Sequence, residues 1–210
     1  MRKNLLKQLT LALLMTVAVP TLTAQVHVGD ILCEGNAIIS PANYSSSGAT
    51  AIGVVFYVDN TGQHGWAVAL QDAGSYKWGG RNSDTPLPNY TNPRQAIYDL
   101  DGYYNTLVVR QHSTDHPAFY AVDFENGWYV PSIGQFNFLY GNLIEVNASL
   151  RIADGLVFES STWRYWSSTE YGSNGAWRLG GTGGVFTYSN NEITNDGKDI
   201  SLRIRAVRNF

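Results

Sequence analysis

Apolar residues dominate the stretch between Ala51 and Val58, where nearly every position is β-branched or aromatic. The next four residues, Asp59–Gly62, are turn formers, and Gly65–Leu70 is apolar again. Two apolar runs joined by a short polar turn are typical of a β-hairpin. The pattern therefore predicts two antiparallel strands in the first half of the chain.

In the middle of the chain, the apolar residues recur with the spacing of an α-helix. Pro93 after a capping asparagine marks a helix start, and Asp101 and Ser132 stand at capping positions before apolar residues with helical spacing. Five helices are predicted. One runs from Pro93 to about Leu100, one begins after Asp101, one covers Pro117–Phe124, one begins after Ser132, and one covers Leu143–Ala153.

Strand patterns return after residue 162. The predicted strands are Trp163–Ser168, Ala176–Leu179, Val185–Tyr188 and Ile200–Val207. Asn195–Gly197 reads as a turn. Strict alternation in the last strand places Leu202 and Ile204 on one face and Arg203 and Arg205 on the other. Strands, then helices, then strands predict a single α+β domain with helices segregated beside an antiparallel sheet.

The first residues have the pattern of an export signal. Arg2, Lys3 and Lys7 precede or flank an apolar run that ends near Val19, and small residues follow as far as Ala24. The apolar run is too short to span a bilayer. We predict a secretory signal peptide over residues 1–24 and one mature domain over residues 25–210, secreted or held at the cell surface without membrane insertion.

The composition of the chain narrows the range of possible functions. The chain has 14 basic and 17 acidic residues, and the predicted leader contains three of the basic ones, so the mature part is clearly acidic. An acidic domain is unlike a general nucleic-acid binder. Cys33 is the only cysteine, which rules out an internal disulfide. We interpret it as a small buried hydrophobic residue.

Six segments, taken in order, resemble one family. They are GVVFYVDNTGQHGWAVAL (53–70), DGYYNT (101–106), GWYVPS (127–132), YWSSTEY (165–171), AW (176–177) and RIRAVRNF (203–210). The chain resembles the family of the C-terminal domain of the collagen-like adhesin Lcl, the major paralogous domain family. The resemblance covers nearly the whole predicted mature chain.

The resemblance implies a C-type-lectin-like fold, related to that of formylglycine-generating enzyme. It also implies extracellular recognition, of sulfated glycosaminoglycans in the adhesin that names the family. Formylglycine-type oxidation needs a cysteine pair, which a chain with one cysteine lacks. Fold analogy does not by itself fix the ligand.

Aromatic and polar residues concentrate in the C-terminal third of the chain. Rigid aromatic rings beside Ser, Gly and Asn make good recognition surfaces. Arginine side chains match the geometry of sulfate and carboxylate groups, although pairing with the domain's own acidic residues is the alternative. The predicted ligand-binding residues are Tyr171, Ser173, Asn174, Arg178, Tyr188, Asn190, Arg203 and Arg205.

Metal sites are weaker alternatives. His112 and His116 have the i, i+4 spacing of a zinc pair, but Pro117 follows, so we interpret them as a solvated helix end. The oxygen-rich run Asn190–Asp199 leaves calcium open as an alternative without an EF-hand spacing. We predict no metal site and no required cofactor.

Three functions remain open at this stage. The first is non-enzymatic, adhesin-like or lectin-like binding of an extracellular glycan or protein. The second is a structural subunit of a surface fibre or envelope complex. The third is a polysaccharide hydrolase, which requires two facing carboxylates among residues such as Asp99, Asp101 and Glu170.

Overall fold

The computed structural model describes residues 25–158, 163–180 and 193–210. The predicted leader and the predicted strand Val185–Tyr188 lie outside these ranges. Within them the protein is an α+β domain with two five-stranded sheets and a set of short helices. The fold class is therefore as predicted, but a second sheet replaces the single sheet that the sequence indicates.

The first sheet has the strand order β10-β4-β3-β1-β2, and all its pairings are antiparallel. The predicted hairpin is confirmed, with Val54 opposite Val68. The strands of this sheet are β1 (Ile31–Cys33), β2 (Ile38–Ile39), β3 (Ala51–Val58), β4 (Gly65–Ala69) and β10 (Val207–Asn209).

The second sheet has the strand order β5-β9-β6-β7-β8. Its pairings are antiparallel apart from one parallel bridge, between Tyr165 and Arg203. The strands of this sheet are β5 (Gly74–Lys77), β6 (Tyr165–Gly172), β7 (Gly175–Leu179), β8 (Ile193–Gly197) and β9 (Ser201–Ile204).

Most helices lie between the two groups of strands in the chain. They are α1 (Pro41–Ser47), α2 (Pro93–Ala96), α3 (Gly102–His112), α4 (Pro117–Tyr120), α5 (Ile133–Gly141) and α6 (Leu143–Ile152), with 3-10 turns at Glu34–Asn36 and Phe124–Asn126. The predicted caps are confirmed for Asn92, Asp101 and Ser132. Ser132 and Gln135 form a complete capping box.

Buried aromatic residues fill two main clusters. Phe56 and Phe136 belong to the cluster in which β3 and β4 meet α5 and α6. Trp78, Phe119 and Trp166 belong to the second, beside β5, β6 and α4. Cys33 is fully buried in a smaller cluster, as predicted. Among the described residues, no helix has the length and apolar character needed to cross a membrane.

Two predictions at the C-terminal side, one of a strand and one of a turn, are wrong. The predicted strand Ile200–Val207 is two strands, β9 and β10, which belong to different sheets. The chain leaves one sheet after Ile204 and enters the other at Val207, so Arg205 turns inward instead of sharing a face with Arg203. Asn195–Gly197, predicted as a turn, ends strand β8, where Asn195 pairs with Trp177.

Two helix predictions also need correction. The helix predicted from Pro93 to about Leu100 is α2, which stops at Ala96, and three residues later Asp99 hydrogen-bonds Thr169 and Asn105 in the core. The third, α4, ends at Tyr120.

Candidate binding groove

A polar groove opens where the segment after β5 meets the turns at the ends of β6 and β8. Its two halves are adjoining depressions, both open to solvent, of about 500 Å³ and about 490 Å³, and Arg81 and Asn82 line both. These volumes lie within the range of ligand pockets. The remaining lining residues are Lys77, Gly79, Gly80, Ser83, Asp115, Pro117, Asn174, Gly197 and Asp199.

Side chains from distant parts of the chain hold the rim of the polar groove. Arg81 Nε donates to Asp199 Oδ2 at 2.7 Å, and the Asn82 backbone N–H donates to Asn174 Oδ1 at 3.0 Å. The pKa of Asp199 is lowered, chiefly by its hydrogen bond from Arg81. These two contacts connect the segment after β5 to the turns after β6 and β8.

The backbone geometry of the rim has two special positions. Asn82 has a φ of 57°, a left-handed conformation that asparagine tolerates better than most residues. At Gly79 an added Cβ would lie 2.4 Å from His116 Nδ1. Glycine is needed there because the backbone packs directly on the imidazole ring.

A buried ion pair lies beneath this rim. Lys198 Nζ contacts Glu170 Oε1 and the backbone carbonyl of Ser83, and both charged side chains are fully buried. Thr85 Oγ1 donates to the other oxygen of Glu170, and Lys198 lies 4.5 Å from the centre of the Trp78 ring. Because two of these contacts come from the rim segment, the pair connects the groove to the core.

Burial affects the two partners in opposite ways. Desolvation raises the pKa of Glu170 and lowers the pKa of Lys198, while their mutual contact counteracts both shifts. A buried pair of this kind is costly to break, because removing one partner leaves an uncompensated charge.

His116 supports the rim from the helix side. Its Nδ1 lies 3.2 Å from the carbonyl oxygen of Trp78, and its Nε2 lies 3.2 Å from Ser83 Oγ. A carbonyl oxygen only accepts, so Nδ1 carries the proton and Nε2 accepts from the Ser83 hydroxyl. The interpretation of His116 as a solvated helix end is wrong, because its side chain is completely buried under the rim.

We expect stability to fall as the pH drops below about 6.5, because burial lowers the pKa of His116 from its ordinary value of 6.5. The nearby Lys198 and His112 also disfavour the charged ring, while the Trp78 carbonyl and Asp115 act in the opposite direction. The unfolded chain then binds a proton that the folded chain resists, and unfolding becomes easier.

Urea denaturation of the wild type and of His116→Gln, across the range from neutral to mildly acidic pH, measures this effect. His64→Gln is the matched control, because His64 is exposed in the β3–β4 turn. The acid-dependent loss should shrink in His116→Gln and persist in His64→Gln. Equal pH dependence in all three proteins would contradict the assignment.

The structure separates the predicted ligand-binding residues. Ser173 and Asn174 are exposed in the β6–β7 turn, and Asn174 lines the polar groove. Tyr171 is half-buried against Trp177. Arg178 is buried, and its Nε donates to Asp196 at 2.7 Å. Tyr188 and Asn190 lie outside the described residues.

Arg203 and Arg205 do not form a common outer face. Both contact Asp72, at 3.3 Å and 3.0 Å respectively, which is the pairing with internal acids that the sequence left open. Arg203 is partly exposed, whereas Arg205 is fully buried against the ring of Phe158. A guanidinium without exposed surface cannot be reached by an external ligand, so Arg205 is removed from the set of predicted ligand-binding residues.

The acidic groups considered for other chemistry have internal partners. Asp99 accepts from Thr169 and Asn105 in the core, Asp101 caps α3, and Asp196 pairs with Arg164 and Arg178. Within the described ranges, no group of three or more His, Cys, Asp or Glu residues is placed to hold a metal ion. The calcium alternative included Asn190–Glu192, which lie outside these ranges.

The residues before β6 that line the polar groove were missed by sequence reasoning. Arg81 lies 118 residues before its partner Asp199, and Asn82 lies 92 residues before Asn174. No local pattern links such positions. The Gly79–Gly80 pair was the one available signal, since adjacent glycines often mark a close backbone approach.

Comparison with known proteins gives a structural likeness without a sequence family. No family model and no curated protein matches the chain, so the resemblance to the Lcl domain family and the C-type-lectin-like fold are not shown. A fimbrial protein from Bacteroides ovatus matches with a TM-score of 0.63 and 17% identity over 88% of this chain. The match spans 49% of that protein, about half its length.

Proposed function

We propose that the chain is an exported, non-enzymatic subunit of a bacterial surface appendage. The observation that carries this proposal is the shared fold with the Bacteroides ovatus fimbrial protein across 88% of the chain. The export pattern of residues 1–24 supports it, because such a subunit has to leave the cytoplasm. An identity of 17% transfers the fold, and the appendage role is our inference from it.

Exposed apolar side chains give this proposal a physical basis. Ile144 on α6 is 84% exposed and Tyr98, after α2, is 79% exposed. Tyr104 on α3 is also more than half exposed. Exposed aromatic and aliphatic side chains are available to a neighbouring subunit, although singly scattered ones also occur on monomeric proteins.

The test is fractionation of cells that produce the protein. We expect the chain to begin at Gln25 after export, to cofractionate with sheared surface filaments, and to be labelled on them by immunogold. Recovery of the chain only as a free soluble protein, with filaments unchanged when it is deleted, would overturn the appendage role. A chain that keeps residues 1–24 would overturn the export signal.

A second candidate, recognition of an extracellular glycan or protein, is favoured by the polar groove. The groove is concave, and several polar side chains converge on it, as the orienting groups of a ligand site do. Of the eight residues predicted to bind ligand, Asn174 belongs to this groove, while Ser173 in the same turn and Arg203 on β9 are exposed or partly exposed. An appendage subunit that carries such a site acts as an adhesin.

A further inference from the structure

We propose that the polar groove is a binding site for a neutral oligosaccharide, with Arg81 and Asn82 at its centre. This inference deepens the recognition role proposed above and is independent of assembly into a filament. It rests on the shape of the groove, the balance of its charges and the hydrogen-bonding capacity of its walls.

The shape fits a chain of sugars better than a single compact ligand. The two halves of the groove are similar in volume, about 500 and 490 Å³, and they meet at Arg81 and Asn82. A ligand that lies across this junction places successive units in adjacent halves. Arg81 is then the shared contact, since its side chain is 75% exposed while its Nε remains fixed by Asp199.

The charges that line the groove cancel. Lys77 and Arg81 supply two positive charges, and Asp115 and Asp199 supply two negative ones. Arg81 and Asp199 also neutralise each other directly, at 2.7 Å. Sulfated or sialylated glycans are attracted by uncompensated positive charge, which is not present in this lining. The balance therefore favours an uncharged ligand.

The walls suit hydroxyl groups. Asn82 and Asn174 each carry an amide that both donates and accepts, and Arg81 adds donors. Sugar hydroxyls likewise donate and accept, so a polyhydroxylated ligand satisfies these groups in pairs. Among the described residues that line the groove, Pro117 is the one with a purely apolar side chain, apart from the glycines. A peptide ligand usually needs an apolar anchor pocket or an open strand edge.

The position of Gly80 allows a clean test. A Cβ at Gly80 would meet only Ser83 Cβ, at 3.8 Å, and the residue is exposed within the groove. Gly80→Leu therefore fills the groove without disturbing its tethers. Asn82→Gly removes the central amide and keeps the left-handed backbone. Asn60→Gly, in the exposed turn after β3, is the matched control.

The experiment screens the purified chain against short neutral oligosaccharides of glucose, mannose, galactose and N-acetylglucosamine, with sulfated and sialylated counterparts and a peptide panel. The best neutral probe is then titrated by calorimetry at low and high salt. We expect salt-independent binding that weakens by about tenfold or more in Gly80→Leu and Asn82→Gly and is unchanged in Asn60→Gly. All variants should unfold at the wild-type urea midpoint.

Three outcomes would overturn the inference. They are no binding of any neutral probe, neutral binding that Gly80→Leu leaves intact, and binding confined to sulfated glycans or peptides. In the third case the protein still recognises a ligand, and only the assignment of that ligand as a neutral oligosaccharide is wrong. Filament incorporation of Gly80→Leu, measured on cells, stays normal in every case, which separates this test from that of the appendage role.

Discussion

Lys198→Met should lower the free energy of unfolding by about 3–5 kcal/mol, because it leaves Glu170 buried without its partner. Both side chains are fully buried, and the Lys198 ammonium also holds the carbonyl of Ser83. Methionine replaces the length of the lysine side chain without its charge. Urea denaturation at neutral pH measures the loss.

Two further variants identify the cause of that loss. Lys77→Met, at an exposed lysine on β5, should change stability by less than about 0.5 kcal/mol. Adding Glu170→Gln to Lys198→Met removes the stranded charge and keeps an acceptor for Thr85, so it should restore much of the loss. A single variant as stable as the wild type would refute the importance of the pair.

Gly134→Ala should destabilise the protein by about 1–3 kcal/mol, because there is no room for a methyl group at this position. An added Cβ would lie 2.2 Å from the carbonyl oxygen of Asp99 and 2.5 Å from that of Ile97. Both are backbone atoms of the segment before α3, and the Gly134 N–H also donates to the Asp99 carbonyl at 3.1 Å. Neither contact can relax without moving that segment.

Gly141→Ala, in the same helix α5, is the matched control. A Cβ there has no atom within 4 Å, and alanine favours a helix over glycine by about 0.5–1 kcal/mol. Its stability should therefore equal or slightly exceed that of the wild type. If both alanine variants proved equally stable by denaturation, the close approach of α5 to the Asp99 carbonyl would be wrong.

Local signals in the sequence were sufficient for elements whose causes are local. The hairpin of β3 and β4 and the caps at Asp101 and Ser132 depend on neighbouring residues, and each was predicted.

The features that the sequence did not predict depend on contacts between residues far apart in the chain. The alternation from Ile200 to Val207 is regular, yet Asp72 draws the side chain of Arg205 inward from 133 residues away. The polar groove depends on contacts of the same kind, such as that between Asn82 and Asn174 across 92 residues. Periodicity reports which face of a strand is apolar, but it does not report which sheet the strand joins.

The division of the last strands between the two sheets bears on when the molecule folds. Strand β9 pairs with β5 and β6 in one sheet, and β10 pairs with β4 in the other. Neither sheet is complete until residues 201–209 have been synthesised. Folding dominated by such distant pairings is slow, and domains cannot close earlier than their last element. A chain that lacks its last residues therefore leaves exposed the edges of β4, β5 and β6 that these strands cover, and such unpaired edges are sites of aggregation.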